Sequence, residues 1–529
     1  MSNLYVSHHM KKSISLLFLF LLTSLMLIFT SCREDFDSVP SEGNLVFSKD
    51  TLFLDTVFSN TSSSTYQFKV YNKSNSTVNI PKIELGQGDD SFFRLNVDGL
   101  PGKKFNGIEI LPRDSIFVFV EVTADVEALS NEEVQFIYED EVLFDTETNQ
   151  QQVNLVALIQ DAVFLFPERF EDGSKESLLL GVNEDDEEIR IEGFFLDDEN
   201  LHFTNEKPYV IYGFAGVPSG KTLKIDPGAR LHFHANSGII VANNASLQAE
   251  GELSTDQNLL ENEIIFQGDR LEPSFANVPG QWAAVWLTSG STNHIFNHVT
   301  IKNSTVGILM DFNDGGEEPT LNIKNTQIYN AATVGLLART GNVDAENLVV
   351  NNCGQASINL SYGGKYNFRH CTIANYWNNS FRQFPALLIE NSIQTPNGVL
   401  VEDLVEANFS NCIIYGSENI ELILNRAEGA AFNYSFKNSL LRFNDFNNSF
   451  VDNPIYDFED ESLFQSLVLN QNPLFFNPNA NNFRIELDSG ASIIGDDEAT
   501  NLVPFDLLGN ARMNPSDAGA YNASEMQQD

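Results

Sequence analysis

The chain has 529 residues, with 73 acidic and 30 basic side chains, so its formal net charge at pH 7 is -43. This negative charge repels nucleic acid and anionic lipid, and it excludes a nucleic-acid-binding protein. The length is sufficient for two or three domains. A hydrophobic share of 42% is typical of a globular protein, and the 42 Phe residues predict flat rings that stack along a long, narrow core.

The N-terminal residues have the pattern of a secretion signal. Lys11 and Lys12 precede an apolar run from Leu16 to Phe29, which is too short to count as a membrane span. The segment Phe29-Thr-Ser-Cys32 resembles the lipobox of bacterial lipoproteins, and this resemblance implies cleavage before Cys32 and acylation of its thiol. Residues 1–31 are therefore predicted to be a lipoprotein signal peptide, and Cys32 to be the lipid attachment residue.

The tract after Cys32 indicates where the mature protein is placed. Arg33-Glu-Asp-Phe-Asp37 looks like the signal that exports Bacteroidetes lipoproteins to the outer face of the outer membrane. This resemblance implies that a lipid anchors the protein in the outer membrane with its domains on the cell surface; the periplasmic face is the alternative. Residues 32–42 are polar and acidic, and we predict that they form a tether.

Residues 43–160 are predicted to form an immunoglobulin-like β-sandwich, because short strands alternate there with turn formers. The segment resembles bacterial surface domains of the ASH/MSP type in Asp55-Thr-Val57, Phe68-Lys-Val-Tyr-Asn72 and Pro112-Arg-Asp-Ser-Ile-Phe-Val-Phe119, which implies a spacer or docking unit. The predicted strands are Leu45 to Phe47, Thr51 to Phe58, Tyr66 to Asn72, Val78 to Leu85, Phe92 to Val97, Ile116 to Thr123, Val134 to Tyr138 and Val153 to Ile159.

Residues 161–205 are predicted to be an acidic connector that becomes the first turn of a repeat domain. They contain the run Asn183-Glu-Asp-Asp-Glu-Glu188. A charge run of this length is usually a solvated loop.

Seven polar residues recur after residue 290, each at the start of a short apolar run. Their spacing predicts one strand-like unit every 20 to 27 residues, the period of a solenoid coil. The segments between them contain Gly, Asn and Ser without a helical period, so helical repeats are not expected. Asn suits a corner between stacked strands because it tolerates the left-handed conformation. The seven residues are His298, Asn325, Asn347, His370, Asn391, Asn411 and Asn438.

From Pro208 onward the sequence is similar to Bacteroidetes surface proteins described as right-handed parallel β-helix repeat proteins. The similarity rests on Lys221-Thr-Leu-Lys-Ile-Asp-Pro-Gly228, Val278-Pro-Gly-Gln-Trp282 and His370-Cys-Thr-Ile-Ala-Asn-Tyr-Trp377. It implies a right-handed parallel β-helix with a pectin lyase-like fold over residues 206–470, and it implies hardly anything about activity. The predicted fold class is all-β, with the immunoglobulin-like β-sandwich followed by this solenoid.

Residues 471–529 resemble the C-terminal cap and tail of secreted β-helix proteins. Gly509-Asn-Ala-Arg512 and Asp517-Ala-Gly-Ala-Tyr521 carry this resemblance. An open end of the coil would expose unpaired strand edges, so we expect the segment to cover that end. The Arg and Asp of these motifs are interpreted as a structural ion pair.

Three cysteines fall within the predicted coil and are expected to be buried, reduced packing residues. Cys371 and Cys412 share one column, but the intervening anchor Asn391 places them two turns apart, which is too far for a disulfide. Cys353 is the third of these cysteines. Zinc or redox spacing is not present in the sequence.

Two segments have the composition of metal sites. His232 and His234 lie on one face of a predicted strand, but a third ligand is missing, and a structural face is the favoured interpretation. Residues 311–318 combine carboxylates, an Asn and two glycines, which makes them the best calcium candidate; they miss the EF-hand spacing, and a solvated loop is favoured. We therefore assign no metal, cofactor or catalytic residue.

Polysaccharide lyases and hydrolases use this fold with either a basic residue beside a cation or a pair of carboxylates. A basic group could form from Lys324, Arg339, Lys365, Arg369 and Arg382, although the sequence does not place them on a common face. His370 is interpreted as a corner residue of the column and not as a base.

The sequence favours a non-catalytic surface platform with a glycan or a surface protein as its partner. The alternative is a carbohydrate-active enzyme, a lyase or hydrolase, that acts on an acidic polysaccharide. A cleft on one face of the coil with Lys or Arg beside three or more carboxylates would favour the enzyme.

Overall fold

The computed structural model describes residues 38–125, 134–146, 148–183 and 186–526. They form two compact units, the first mainly within residues 38–159 and the second mainly within residues 160–526. Both are built almost entirely from strands, which confirms the all-β class. The predicted signal peptide, the lipid attachment residue Cys32 and residues 33–37 of the predicted tether lie outside the described residues.

Helix is rare in the part of the chain that the structure describes. It has one short α-helix, α1 (Asp497–Leu502), and five single turns of 3-10 helix at Gly88–Asp90, Asp198–Asn200, Pro273–Phe275, Pro454–Tyr456 and Pro478–Ala480. Over these same residues, no helix has the length and apolar character needed to cross a membrane.

The first unit contains two sheets. The six-stranded sheet has the order β1-β5-β10-β11-β3 with β8 on β5, and the five-stranded sheet has the order β2-β4-β9-β6-β7. Phe68 of one sheet contacts Phe144 of the other, with ring centroids 6.2 Å apart. The strands are β1 (Val39–Pro40), β2 (Val46–Phe47), β3 (Thr51–Phe58), β4 (Tyr66–Tyr71), β5 (Val78–Leu85), β6 (Phe93–Val97), β7 (Leu100–Gly102), β8 (Lys104–Ile110), β9 (Ser115–Val122), β10 (Gln135–Phe144) and β11 (Gln151–Gln160).

The first unit has strands that the sequence did not predict. Strands β7 and β8 were missed because Gly102 and Gly107 and several polar residues interrupt their apolar pattern. The tether prediction was wrong for residues 39 and 40, because Val39 and Pro40 pair in parallel with β5. Ser41 is also buried and donates a hydrogen bond to Asp145 Oδ2 over 2.7 Å.

The second unit contains an 11-stranded and an 18-stranded sheet, with small hairpins attached. Its first strands are β12 (Val163–Leu165), β13 (Ser177–Val182), β14 (Glu188–Phe195), β15 (His202–Phe203), β16 (Tyr209–Ile211), β17 (Phe214–Val217), β18 (Thr222–Ile225), β19 (Arg230–Phe233), β20 (Gly238–Val241), β21 (Ser246–Glu250), β22 (Ile264–Gly268), β23 (Val285–Leu287), β24 (His294–Asn297), β25 (Val299–Lys302), β26 (Val306–Asp311), β27 (Leu321–Lys324) and β28 (Gln327–Tyr329).

The remaining strands of the second unit belong to the two large sheets, except for the hairpins β34–β35 and β43–β44. They are β29 (Val334–Glu346), β30 (Val349–Asn351), β31 (Ile358–Arg369), β32 (Thr372–Asn375), β33 (Leu387–Glu390), β34 (Ser392–Thr395), β35 (Gly398–Val401), β36 (Leu404–Ser410), β37 (Ile413–Gly416), β38 (Leu422–Asn425), β39 (Ser435–Lys437), β40 (Leu440–Leu441), β41 (Phe464–Gln465), β42 (Val468–Leu469), β43 (Phe475–Asn477) and β44 (Asn482–Ile485).

Each strand of the 11-stranded sheet pairs in parallel with the equivalent strand of the next turn. Ile328, Val350, Ile373 and Ile414 occupy one register position on successive turns, and all four side chains are fully buried. The apolar runs after the anchor residues therefore form strands that stack in register. Because the inner strands of this sheet pair with a parallel neighbour on both sides, the sheet is held in one register.

Phe residues stack in the interior of the second unit, as predicted. Phe368 and Phe409 have ring centroids 4.9 Å apart and nearly parallel planes, and Phe409 and Phe436 repeat this spacing. Phe464 extends the stack at 5.6 Å. Flat rings at one register position thus pack against each other on successive strands.

Six of the seven predicted anchor residues have a left-handed backbone with φ between 47° and 54°, whereas Asn391 does not. Asn391 precedes an inserted hairpin, β34–β35, and its side chain bonds to Ala427. Strand β32 therefore pairs directly with β37, so Cys371 and Cys412 are one turn apart. The prediction of two turns was wrong, although both cysteines, like Cys353, are buried and free.

The predicted connector is part of the second unit. Strand β12 pairs with β16 in the 11-stranded sheet, and β14 pairs with β17 in the 18-stranded sheet. Strands β13 and β14 form a hairpin around the acidic run, of which residues 184 and 185 lie outside the described part.

The C-terminal segment lies along the outer face of the 11-stranded sheet instead of only covering the last turn. Ala520 N donates to Thr372 Oγ1 over 3.1 Å, and Tyr521 packs with Tyr329 and Val349. The prediction that the Arg and the Asp of the C-terminal segment form an ion pair was wrong. Arg512 donates to Asn347 Oδ1 over 2.7 Å and to the Gly519 carbonyl over 3.1 Å.

Candidate functional site

A polar surface covers one part of the 18-stranded sheet. It is formed by β27, the second halves of β29 and β31, β36 and β39, which lie side by side in parallel. Side chains alternate along these strands, so the outward ones are half-buried or exposed while the inward ones form the core. We call this surface the polar face. Its residues are Asn322, Lys324, Asp344, Glu346, Lys365, Asn367, Arg369, Glu406, Asn408, Ser410, Ser435 and Lys437.

Register arranges these side chains in columns. The central column has one residue on each successive strand, and it consists of Asn322, Asp344, Asn367, Asn408 and Ser435. A second column lies two residues further along each strand and consists of Lys324, Glu346, Arg369, Ser410 and Lys437. Neighbouring members of a column are separated by the strand spacing of about 4.8 Å.

Asn367, Asn408 and Ser435 of the central column form a hydrogen-bonded row. Asn408 Nδ2 donates to Asn367 Oδ1 over 3.0 Å, and Ser435 Oγ donates to Asn408 Oδ1 over 2.8 Å. Asn367 Nδ2 donates to Glu406 Oε1 over 3.1 Å. Asn408 Nδ2 also donates to Glu406 Oε2 over 3.3 Å. These bonds fix the orientation of the carboxamides, and they leave Asn367 with one Nδ2 hydrogen and Asn408 with a lone pair on Oδ1.

Each cation of the polar face is paired with a carboxylate. Lys324 lies 2.9 Å from Glu346 Oε2, and Arg369 bonds to both Asp344 and Glu346, the latter over 3.2 Å. Lys365 lies 3.6 Å from Glu406.

Lys437 lies at the edge of the polar face beside helix α1. Its Nζ is 3.4 Å from Asp496 and 3.2 Å from Glu498. A cavity of about 220 Å³ separates the helix from the polar face. Its lining includes Asn367, Arg369, Asn408, Lys437, Asp496 and Glu498.

The two cations of this cavity are held in their charged form. Partial burial lowers the pKa of Arg369, but its bonds to Asp344 and Glu346 outweigh that effect and place the pKa above its ordinary value. Burial likewise lowers the pKa of Lys437, and the bonds to Glu498 and Asp496 raise it by more. Neither side chain is therefore a proton acceptor near neutral pH.

The five basic residues that the sequence singled out do not share one face. Lys324, Lys365 and Arg369 come together on the polar face. Arg339 precedes the bend in β29 and pairs with Asp311. Arg382 is buried in an ion pair with Glu421, so it is removed from the surface.

The two histidines of the predicted strand face have separate partners. His232 is buried beside the Gly268 carbonyl, and burial lowers its pKa to about 4. His234 is exposed and contacts Asp269 Oδ2 over 2.7 Å, which raises its pKa. Within the described residues, no group of three metal-ligating side chains occurs.

Two of the four carboxylates of the calcium candidate at residues 311–318, those of Asp311 and Asp314, bond within the protein. Asp311 Oδ2 accepts from Trp286 Nε1 over 2.8 Å, and its other oxygen pairs with Arg339. Burial raises the pKa of Asp314, but hydrogen bonds from Thr292, Gly316 and Thr320 outweigh that effect and lower it. Most of these bonds join the loop to residues outside it.

His370 belongs to the anchor column. Its φ is 52°, and Asn411 Nδ2 donates to its Nε2 over 3.0 Å. Burial, and then the nearby charge of Arg512, lowers the pKa of His370 well below its ordinary value. The imidazole is therefore neutral near pH 7 and already serves as a hydrogen-bond acceptor within the column.

Replacing His370 by Asn is expected to reduce the loss of stability at acid pH. The unfolded chain takes up a proton below pH 6.5 whereas the folded His370 does not, so its contribution is complete above pH 6.5 and is lost as the pH falls. Asn fits the left-handed backbone, as it does at Asn347 and Asn411. Urea titrations should show a pH slope that is shallower by up to about 1.4 kcal/mol per pH unit. Parallel pH curves would contradict this account.

Most residues of the polar face could not be predicted from the sequence. Asn322, Asn367, Asn408 and Ser435 carry no motif, and they become neighbours only through register. The hairpin β34–β35 between β33 and β36 breaks the regular spacing that could have aligned Asn367 with Asn408. The alternation of polar and apolar residues along Lys365 to Arg369 is the one local signal.

No protein-family model matches the chain. No curated protein matches it either. Among solved structures, a family 123 glycoside hydrolase from Clostridium perfringens is 7% identical over 23% of this chain, with a TM-score of 0.15. This chain covers 26% of that hydrolase, about a quarter of its length.

Two further solved structures show similarly weak similarity. The ASH/PapD-like domain 7 of human CEP192 is 8% identical over 25% of this chain and 94% of that domain, with a TM-score of 0.15. The catalytic domain of a GH87 α-1,3-glucanase in complex with tetrasaccharides is 10% identical over 70% of this chain and 86% of that domain, with a TM-score of 0.13. Similarities this low carry no argument about function.

Proposed function

We propose that this protein is a non-catalytic surface lipoprotein whose polar face binds a glycan. The row of outward amide and hydroxyl groups on successive strands carries the proposal. Sugar hydroxyls both donate and accept hydrogen bonds, and carboxamides match both roles. Since the parallel strands and the hydrogen bonds between the side chains fix these groups before a ligand arrives, binding costs little side-chain entropy.

The proposal includes a right-handed parallel β-helix for the second unit. Parallel pairing of each strand with its equivalent on the next turn, as in the pairs between β30, β32 and β37, supports it. The right hand follows from the general preference of connections between parallel strands. A solenoid of this kind offers an extended, rigid surface to a long ligand.

An immunoglobulin-like fold is proposed for the first unit, with the role of a spacer or docking unit. Its two contacting sheets and the ASH/MSP-like motifs of the sequence support that role.

Acylation of Cys32 and display on the cell surface complete the proposal. Metabolic labelling with an alkyne fatty acid should mark the native chain and not Cys32→Ser; an unlabelled native chain in the soluble fraction would argue against the anchor.

A carbohydrate-active enzyme is the second candidate, because the cavity beside α1 combines Arg369 and Lys437 with several carboxylates. Two features favour binding over catalysis. The raised pKa values of Arg369 and Lys437 leave neither as a base for β-elimination. The carboxylates are held in ion pairs, which suits fixed positions more than proton transfer.

Replacing both Asn367 and Asn408 by Ala is expected to weaken glycan binding by at least about tenfold, because each amide supplies hydrogen bonds worth about 1 kcal/mol. A glycan array should identify the ligand, and calorimetry with that ligand should measure the loss. Asn378→Ala is the matched control, since it removes an exposed amide outside the polar face.

The proposal would be overturned if no glycan bound, or if Asn378→Ala weakened glycan binding as much as the double substitution does. An absorbance assay for unsaturated uronates accompanies the array. Release of such products by the native chain would favour the lyase.

A further inference from the structure

We propose that the polar face selects uncharged glycans and disfavours glycans that carry uronate groups. This inference rests on the proposed function and specifies the chemical class of its ligand. Its basis is the pairing of charges: four cations, Lys324, Lys365, Arg369 and Lys437, face five carboxylates of the polar face and of residues 496–498. The site has no surplus positive charge to offer an anion.

An anionic sugar would have to displace a carboxylate that is already in place. Arg369 is the clearest case, because its guanidinium bonds to two carboxylates, Asp344 and Glu346, with side chains that are largely buried. A uronate that approaches Arg369 would meet both carboxylates, and like charges that close repel. The formal net charge of -43 adds a long-range repulsion of polyanions.

The neutral groups of the polar face keep part of their hydrogen-bonding capacity: Asn367 has one unused Nδ2 hydrogen, and the side-chain oxygens of Asn367, Asn408 and Ser435 have unused lone pairs. Asn367, Asn408 and Ser435 form a continuous row along which hydroxyl groups could bond in register. Carboxylates that are paired with a cation still accept hydrogen bonds from hydroxyls through their remaining lone pairs. The row therefore suits the hydroxyls of an uncharged sugar chain that crosses several strands.

The cavity beside α1 limits how much of such a chain is enclosed. Its volume of about 220 Å³ is below the range of pockets that enclose a whole small-molecule ligand. One sugar unit would occupy it, between Asn367 and Asn408 on one side and Glu498 on the other. The rest of the chain would lie on the open row, so the site would take a linear glycan through one unit and its neighbours.

Matched oligosaccharides of equal length test this inference with the full-length protein. The probes are neutral oligomers of glucose, xylose and mannose, and uronate oligomers of galacturonate and mannuronate. At least one neutral oligomer is expected to bind at least about tenfold more tightly than every uronate oligomer. A uronate oligomer that binds as tightly as the best neutral one would overturn the inference and leave the proposed function standing. Absence of binding by both classes would overturn the proposed function itself.

A variant that removes the carboxylate partners of two cations provides a second test of the inference. Asp344→Asn combined with Glu346→Gln removes the partners of Arg369 and Lys324. The ratio of uronate affinity to neutral affinity should then rise by at least about tenfold, since a freed guanidinium forms charge-assisted bonds to a carboxylate. Asp311→Asn is the matched control, because it frees Arg339 away from the polar face. An unchanged ratio in the double variant, or an equal rise in the control, would overturn the inference.

Discussion

Replacing Ile373 by Asp is expected to abolish the cooperative unfolding of the second unit. The Ile373 side chain is fully buried between Val350 and Ile414 of the adjacent turns. A carboxylate placed there loses its hydration without gaining a partner, and it costs at least about 3 kcal/mol even when it takes up a proton. The neighbouring strands share backbone hydrogen bonds with β32, so the substitution should also destabilise these strands.

Asn378→Asp is the control for this experiment. Asn378 is exposed and lies just beyond the same strand, so its substitution should change the free energy of unfolding by no more than about 0.5 kcal/mol. Urea unfolding followed by far-ultraviolet circular dichroism measures both variants. Equal tolerance at the two positions, or a strongly helical spectrum of the native chain, would contradict the stacked-strand architecture.

The second large effect is expected at the buried ion pair of Arg382 and Glu421. The guanidinium and the carboxylate form two bonds of 2.7 and 2.9 Å, and both side chains are almost fully buried. Glu421 also accepts from Ala386 N over 2.7 Å, so the pair joins the loop before β33 to the turn that begins β38. Burial raises the pKa of Glu421, and the Arg382 guanidinium opposes that shift.

Arg382→Met should destabilise the second unit by about 3–5 kcal/mol, because Glu421 is left buried without its counter-charge. Adding Glu421→Leu should recover a large part of this loss, since the unpaired carboxylate is then gone. Lys365→Met breaks an ion pair of the polar face and should cost no more than about 1 kcal/mol. Thermal and urea unfolding measure these losses. If Arg382→Met lowered the free energy of unfolding by no more than Lys365→Met does, the account would be contradicted.

The all-β class and much of the repeat could be read from the sequence because both depend on local pattern. Alternating apolar residues predicted strands such as β3 and β5 with the bounds that the structure has. The left-handed residues of the anchor column were identified from their type and spacing. Asn391 was misplaced because Asn followed by a short apolar run is also how the inserted hairpin begins.

The candidate site could not be predicted to the same extent, because it depends on which strands become neighbours. Asn367 and Asn408 are on adjacent strands only because the hairpin between them projects from the coil. Glu421 has no sequence signal that distinguishes a buried partner of Arg382 from a solvated carboxylate. The path of the C-terminal segment depends on tertiary packing of Tyr521 and Arg512 against the sheet, which no local pattern encodes.

A crystal structure of the mature chain with a neutral oligosaccharide tests the central claim most directly. The account predicts sugar hydroxyls within hydrogen-bond distance, about 3 Å, of the Asn367 and Asn408 amides. It further predicts one sugar unit in the cavity beside Arg369 and Lys437. A ligand bound on another face, or turns that do not stack with Asn367 beside Asn408, would contradict it.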